Sequence, residues 1–124
     1  MTIQLLIIED EAIVRNSLKN MIEKNRPSIA VYTAADAYEA NEFLQLSSIH
    51  LVILDIQLPE IDGITFLTQM RKKKPELLVI ILSAHADFAY AQQAIDLNVA
   101  KYLVKPVSRD TLLDAIDQSI KEID

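Results

Sequence analysis

The sequence predicts an α/β fold built on a parallel sheet, and three observations carry that expectation. Five short apolar runs alternate along the chain with five longer segments of candidate helix. Three of the runs are near-continuous hydrophobics, the pattern of strands covered on both faces. No internal repeat, low-complexity run or linker divides the 124 residues. One domain spanning residues 1–124 is therefore expected.

The first strand is expected at 3–8 (IQLLII), running into Glu9-Asp10-Glu11. Acids suit the positive end of a helix, so this cluster also reads as the entry to a helix at 12–25. A strand at 29–33 (IAVYT) and a helix at 37–46 follow. The third strand, 50–54 (HLVIL), ends in Asp55 within "LVILDIQLPEIDG". There Pro59 presets a turn, and Gly63, the only glycine, relieves the backbone as a helix at 63–73 begins. "RKKK" at 71–74 falls in its last turn, where cations suit the macrodipole, a simpler account than a nucleic-acid patch. The fourth strand, 77–82 (LLVIIL), leads to Ser83-Ala84 and a helix at 87–97. That helix ends in "DLNVA", where Asn98 can adopt the left-handed conformation usually given to glycine. A fifth strand at 100–104 (AKYLV) precedes Lys105-Pro106 and a helix at 109–122. In this last helix Leu112, Leu113, Ile116, Ile120 and Ile123 recur at three- and four-residue steps, with Ser108 as the expected N-cap. Five βα units with right-handed crossovers suit a flavodoxin-like doubly wound (βα)5 sandwich, strand order 2-1-3-4-5.

Composition bounds the function. With 51% apolar and 24% charged residues the chain reads as globular. A net charge of −6 argues against gripping nucleic acid directly, because phosphate binding needs a basic face. There is no cysteine, hence no disulfide framework or thiolate metal site. The start "MTIQLLIIEDE" lacks a basic n-region, and no apolar stretch approaches ~18 residues. A cytoplasmic domain without a membrane span is expected.

Ligands of open α/β sheets bind outside the carboxyl ends of the strands. This chain delivers Glu9, Asp10, Glu11 and Asp55 to that rim, together with Ser83 and Lys105. Clustered carboxylates repel each other and need a cation or a raised pKa. With oxygen ligands only, the fitting cation is Mg²⁺. One carboxylate could instead attack phosphorus to form an acyl phosphate, with Lys105 and the metal neutralising developing charge. Each residue also has a plainer account. Asp55 could cap a turn, Ser83 likewise, and Lys105 could lie on the surface. Tyr102 could be ordinary packing on a half-buried edge strand. Glu11 reads only as helix entry. His50 and His85 have no evident partners, so surface or loop positions are expected.

Taken in order, "LLIIEDEAIVR", "LVILDIQLPEIDGITFL", "VIILSAHADFAYAQQAIDLNVAKYLVKP" and the final amphipathic helix resemble the receiver domain of two-component response regulators. The stretch "SAHADFAYAQQAIDLNVAKYLVKPV" is most similar to receivers joined to an arabinose-regulator-type helix-turn-helix DNA-binding domain, a part absent from these residues. The resemblance implies that Asp55 is the phosphoacceptor. It implies Mg²⁺ held by Asp10, Asp55 and the backbone carbonyl of Gln57, with Glu9 acting through a water. Lys105 would pair with the acceptor and then the phosphoryl group, Ser83 would close onto a phosphoryl oxygen, and Tyr102 would repack in response. A cis Lys105-Pro106 bond is implied as well. Two positions depart from the family pattern: Glu9 stands where aspartate is commoner, and Asn98 where glycine is frequent.

The implied function is a switch phosphorylated by a sensor histidine kinase, acting on an output, DNA-binding domain through a helix 4–strand 5–helix 5 face. A phosphorylation-dependent homodimer on that face is a further expectation. Its chemistry is self-phosphorylation and slow self-dephosphorylation, in the service of regulation rather than of substrate turnover. A Mg²⁺-dependent phosphatase with an Asp nucleophile is disfavoured, since Gln57 stands where a second acid is needed. The intact set Asp10, Asp55, Ser83 and Lys105 speaks against a receiver-like module that never takes phosphate. A flavodoxin-like cofactor binder is disfavoured by the single glycine.

Overall fold

The computed structural model describes residues 2–84 and 88–123. Its elements in chain order are β1 (Gln4–Ile8), α1 (Ala12–Asn25), β2 (Ala30–Ala34), α2 (Ala37–Leu46), β3 (Leu51–Asp55), α3 (Gly63–Lys73), β4 (Leu78–Ser83), α4 (Phe88–Asp96), β5 (Lys101–Val104) and α5 (Arg109–Ile120). The five strands form one parallel sheet in the order β2-β1-β3-β4-β5, as expected.

Strand parity explains why the central runs are hydrophobic throughout. Successive side chains point to opposite faces, so a strand covered on both sides needs apolar residues at every position. Leu6, Ile8, Val52, Leu54, Val79 and Ile81 pack into one core with α2, α3 and α4 residues. Leu5, Ile7, Leu51, Ile53, Ile80 and Leu82 pack into the other, with Ile22 of α1 and Leu112, Ala115 and Ile116 of α5. All five β3 residues are buried, whereas the edge strands β2 and β5 alternate or stay half-covered. Each fully buried Leu or Ile contributes about 1.5–3 kcal/mol of transfer free energy, so the central strands dominate the stabilisation.

The strands start one residue later than the apolar runs, and β2, β3 and β4 end one residue beyond them. Pairing follows backbone rather than side-chain polarity. Asp55 stays in register opposite Leu82 and Ser83 opposite Val104, although their side chains are polar.

Helix ends follow local chemistry. Ser108 accepts the Thr111 N–H, the expected cap of α5. Asp36 caps α2 by accepting the Glu39 N–H, while Glu39 returns a carboxylate oxygen to the Ala35 N–H. Asn98 takes φ 57°, in the left-handed region, just past α4. The helix expected to reach residue 122 stops at Ile120, and Ile123 sits in the turn beyond it. Residues 85–87, which include His85 and the expected first residue of the fourth helix, lie outside the described residues.

Gly63 has a different reason from the one expected. It has no positive φ, but a Cβ there would run into the Ile56 carbonyl and side chain. Close approach of α3 to the end of β3, not backbone freedom, excludes a side chain. His50 also differs, because it has a partner: its Nδ1 accepts the Gln4 N–H at 3.0 Å, at the amino-terminal end of the sheet. Among the described residues no helix is long and apolar enough to cross a membrane.

Candidate functional site

Register alone assembles the rim. Ile8 pairs with Leu54, so Glu9, the next residue, lies level with Asp55. Ser83 pairs with Val104, and the Lys105 N–H donates to the Ser83 carbonyl at 2.7 Å. By parity Glu9, Asp55 and Lys105 continue the strand positions that face α1 and α5. Ser83 and Tyr102 share the opposite parity with Ile81, toward α3 and α4.

Carboxylate oxygens of Glu9, Asp10 and Asp55 lie within 4.8 Å of one another. Asp10 is exposed, whereas Asp55 is 4% and Glu9 only 1% accessible. Asp55 is held at both oxygens: Oδ1 accepts the Gln57 N–H at 2.9 Å, and Oδ2 accepts from Lys105 Nζ at 2.8 Å. Burial works against the Lys105 ammonium, but hydrogen bonding and attraction from Asp55 and Glu9 outweigh it and hold its pKa above the ordinary lysine value. Lys105-Pro106 is cis.

Glu9 divides its carboxylate. Oε2 accepts the Glu11 N–H at 3.0 Å, while Oε1 is buried, 3.6 Å from Lys105 Nζ and without a hydrogen bond. Burial, reinforced by neighbouring Asp55, pushes the Glu9 carboxyl up to about 7. Three acids against one lysine leave an excess of negative charge. All the donors are hard oxygens, and one is buried and unpartnered. That donor set fits a small divalent cation such as Mg²⁺.

Glu9, Asp10, Asp55 and Lys105 thus come together, with Gln57 at the Asp55 carboxylate. Ser83 is fully buried at the end of β4, and Tyr102 is half-buried on β5, packed against the α3–α4 core. Glu11 caps no amide with its side chain, in keeping with a simple helix-entry acid. Two neighbours were not read from the sequence. Arg15 Nη1 donates to the carbonyls of Glu9 and Asp10, at 3.0 and 3.3 Å. Glu60 reaches across to accept the Ala37 N–H at the start of α2. Arg15 sits about one turn beyond Glu11, a spacing from which a long cation can fold back over the helix start.

Fold and rim define a class: a doubly wound α/β unit whose carboxyl edge gathers two further acids around a lysine-paired aspartate. The family described as response regulator receiver domain matches residues 5–117. The chain belongs to that family. It is 36% identical over 107 residues to protein-glutamate methylesterase/protein-glutamine glutaminase 2 of Shewanella sp. (strain MR-4), covering 86% of this chain and 30% of that protein. Alginate biosynthesis transcriptional regulatory protein AlgB of Pseudomonas putida is also 36% identical, over 109 residues, 88% of this chain and 24% of AlgB. The chain therefore spans about a third or less of these two relatives. A crystallised response regulator receiver domain protein from Clostridium thermocellum superposes with a TM-score of 0.87 at 31% identity, over 97% of this chain and 95% of that one.

Proposed function

We propose that residues 1–124 form one cytoplasmic receiver unit that accepts a phosphoryl group on Asp55 from a sensor histidine kinase. The observation that carries this reading is the Asp55 carboxylate, clustered with Glu9 and Asp10 and bonded at 2.8 Å to the Lys105 ammonium. In the transfer an Asp55 oxygen attacks phosphorus and the P–N bond to the kinase imidazole breaks. The departing imidazole takes up a proton, leaving an acyl phosphate. Asp10, Asp55 and the Gln57 carbonyl would hold Mg²⁺, with Glu9 engaged through a water. The ion supplies positive charge where the equatorial phosphoryl oxygens gain negative charge. Lys105 moves from the carboxylate to a phosphoryl oxygen, Ser83 donates to another, and Tyr102 repacks.

Output follows through α4, β5 and α5. Ile95 on α4 and Val104 on β5 are exposed apolar residues on that side, at 62% and 40%. They support a phosphorylation-dependent self-association there. The name of AlgB supports transcriptional regulation, so a DNA-binding output domain, of the arabinose-regulator type by sequence resemblance, is proposed in the full-length protein. The receiver serves regulation, and the methylesterase activity named for the Shewanella relative is not assigned to these residues.

Intact-mass measurement after acetyl phosphate and Mg²⁺ tests the acceptor. One phosphoryl group is expected, absent with EDTA and absent in Asp55→Asn. Full labelling of Asp55→Asn at the same stoichiometry would reject Asp55.

A further inference from the structure

We infer that Arg15 is a positioning residue for the acid cluster, holding the Asp10–Glu11 peptide in the orientation that lets Glu9 and Asp10 serve one cation. The inference rests on the metal-binding reading above and adds a residue to it. Beyond Ile8 the β1–β3 register ends, so the Glu9 and Asp10 carbonyls need donor partners outside that ladder. Arg15 Nη1 supplies both, at 3.0 and 3.3 Å.

In a planar trans peptide the carbonyl and the following N–H point in opposite directions. The Asp10–Glu11 unit is therefore gripped at both ends. Its oxygen takes a hydrogen bond from Arg15, and its N–H donates to Glu9 Oε2 at 3.0 Å. Rotating that peptide would break both bonds and release Glu9, whose other oxygen is the buried, unpartnered one. It would also turn the Asp10 Cα from which the exposed ligand projects.

The rest of the turn gives little support. Glu11 as N-cap makes no side-chain cap, and the first turn of α1 carries no acid. Arg15 forms no ion pair within 4 Å of either carboxylate. Its guanidinium therefore braces backbone and leaves the carboxylates for the cation. Loss of a residue that orients metal ligands through others costs ~10-fold or more in metal affinity.

The test compares the parent with Arg15→Ala, first metal-free and then titrated with MgCl₂ at about 0.05 and 0.5 M KCl, where surface charge effects are largely screened at the higher salt. The Glu11 amide of Arg15→Ala is expected to lose hydrogen-exchange protection, and Mg²⁺ affinity to fall ~10-fold at both salts. Parent-like exchange with affinity within about twofold of the parent would overturn it, and so would a deficit that vanishes at high salt, which marks a charge effect alone. Should Arg15→Ala fail to fold, Arg15→Lys keeps the charge but not the guanidinium fork. Weakened Mg²⁺ binding in it supports the brace, and parent-like binding overturns it. If the parent itself binds no Mg²⁺, the metal reading falls, and exchange at Glu11 still decides whether Arg15 holds the peptide.

Discussion

Glu9 answers to two neighbours with one carboxylate, its Oε2 fixed by the Glu11 N–H and its Oε1 buried beside Lys105. Its carboxyl titrates near 7 rather than 4.5, chiefly because burial disfavours the anion. Between these values the folded, metal-free protein holds a proton that the unfolded chain has lost. This contribution to stability is therefore present below about 4.5 and fades as pH rises through about 7. A cation that needs the anion has the opposite dependence. Mg²⁺ binding should tighten from pH 6 to pH 8, with proton release at the lower pH measured by calorimetry in two buffers, and Glu9→Gln should flatten the profile. An unchanged slope in that variant would assign the titration elsewhere. Asp10→Asn should lose more Mg²⁺ affinity than Glu9→Gln, since direct ligands cost more than residues acting through water. The reverse order would exchange their roles. The acid itself was legible in the sequence as a strand-end carboxylate. Its burial was not, because that depends on Glu9 lying level with Asp55 across a register set by two distant strands.

At the scale of elements, the basic run in the last turn of α3 divides into different jobs. Arg71 donates from Nε to the Leu97 carbonyl, from Nη2 to Asn98, and from Nη1 to Lys74, Pro75 and Leu77, at 2.6–3.3 Å. It ties the end of α3 and the turn into β4 to the carboxyl end of α4, where Asn98 makes its left-handed turn. Desolvation holds its pKa below the ordinary arginine value. Lys72, by contrast, is exposed. Arg71→Ala should cost about 2–3 kcal/mol in urea unfolding, because it strands partly buried carbonyls, while Lys72→Ala stays within about 0.5 kcal/mol. Equal effects would mean that the run acts only through the helix dipole. Gly63→Ala should destabilise by about 1–3 kcal/mol, since Ile56 must move to admit a Cβ. Local chemistry made Ser108 and Asn98 readable as helix ends. Arg71 was not readable, because its acceptors at Leu97 and Asn98 lie 26 and 27 residues away in sequence.

The whole molecule has a sealed central sheet and half-covered edge strands. β1, β3 and β4 are sealed in both cores and bring Glu9, Asp10 and Asp55 together, while β5 at the edge carries half-buried Tyr102 and exposed Val104. The central sheet was legible because continuous apolar runs admit few other arrangements. The sheet face that each rim residue takes was not, because it depends on how each strand end registers with its neighbours. Parity puts Ser83 and Tyr102 on the α4 side, away from the face shared by Asp55 and Lys105, and the relay proposed here has Ser83 carry a change at the acceptor across the rim. On this account the resting domain samples two packings, and a phosphoryl group favours one through contacts the other lacks. A bias of about 5.5 kcal/mol inverts even a hundredfold preference. The most direct measurement is the amide NMR response to beryllofluoride and Mg²⁺ in the parent and in Ser83→Ala. The parent is expected to shift at Ser83, through α4 and along β5 to Ser108, and to self-associate. Ser83→Ala should still take a phosphoryl group at Asp55 yet transmit only part of that response. A Ser83→Ala spectrum that changes as fully as the parent's would contradict the relay from Asp55 through Ser83 to Tyr102.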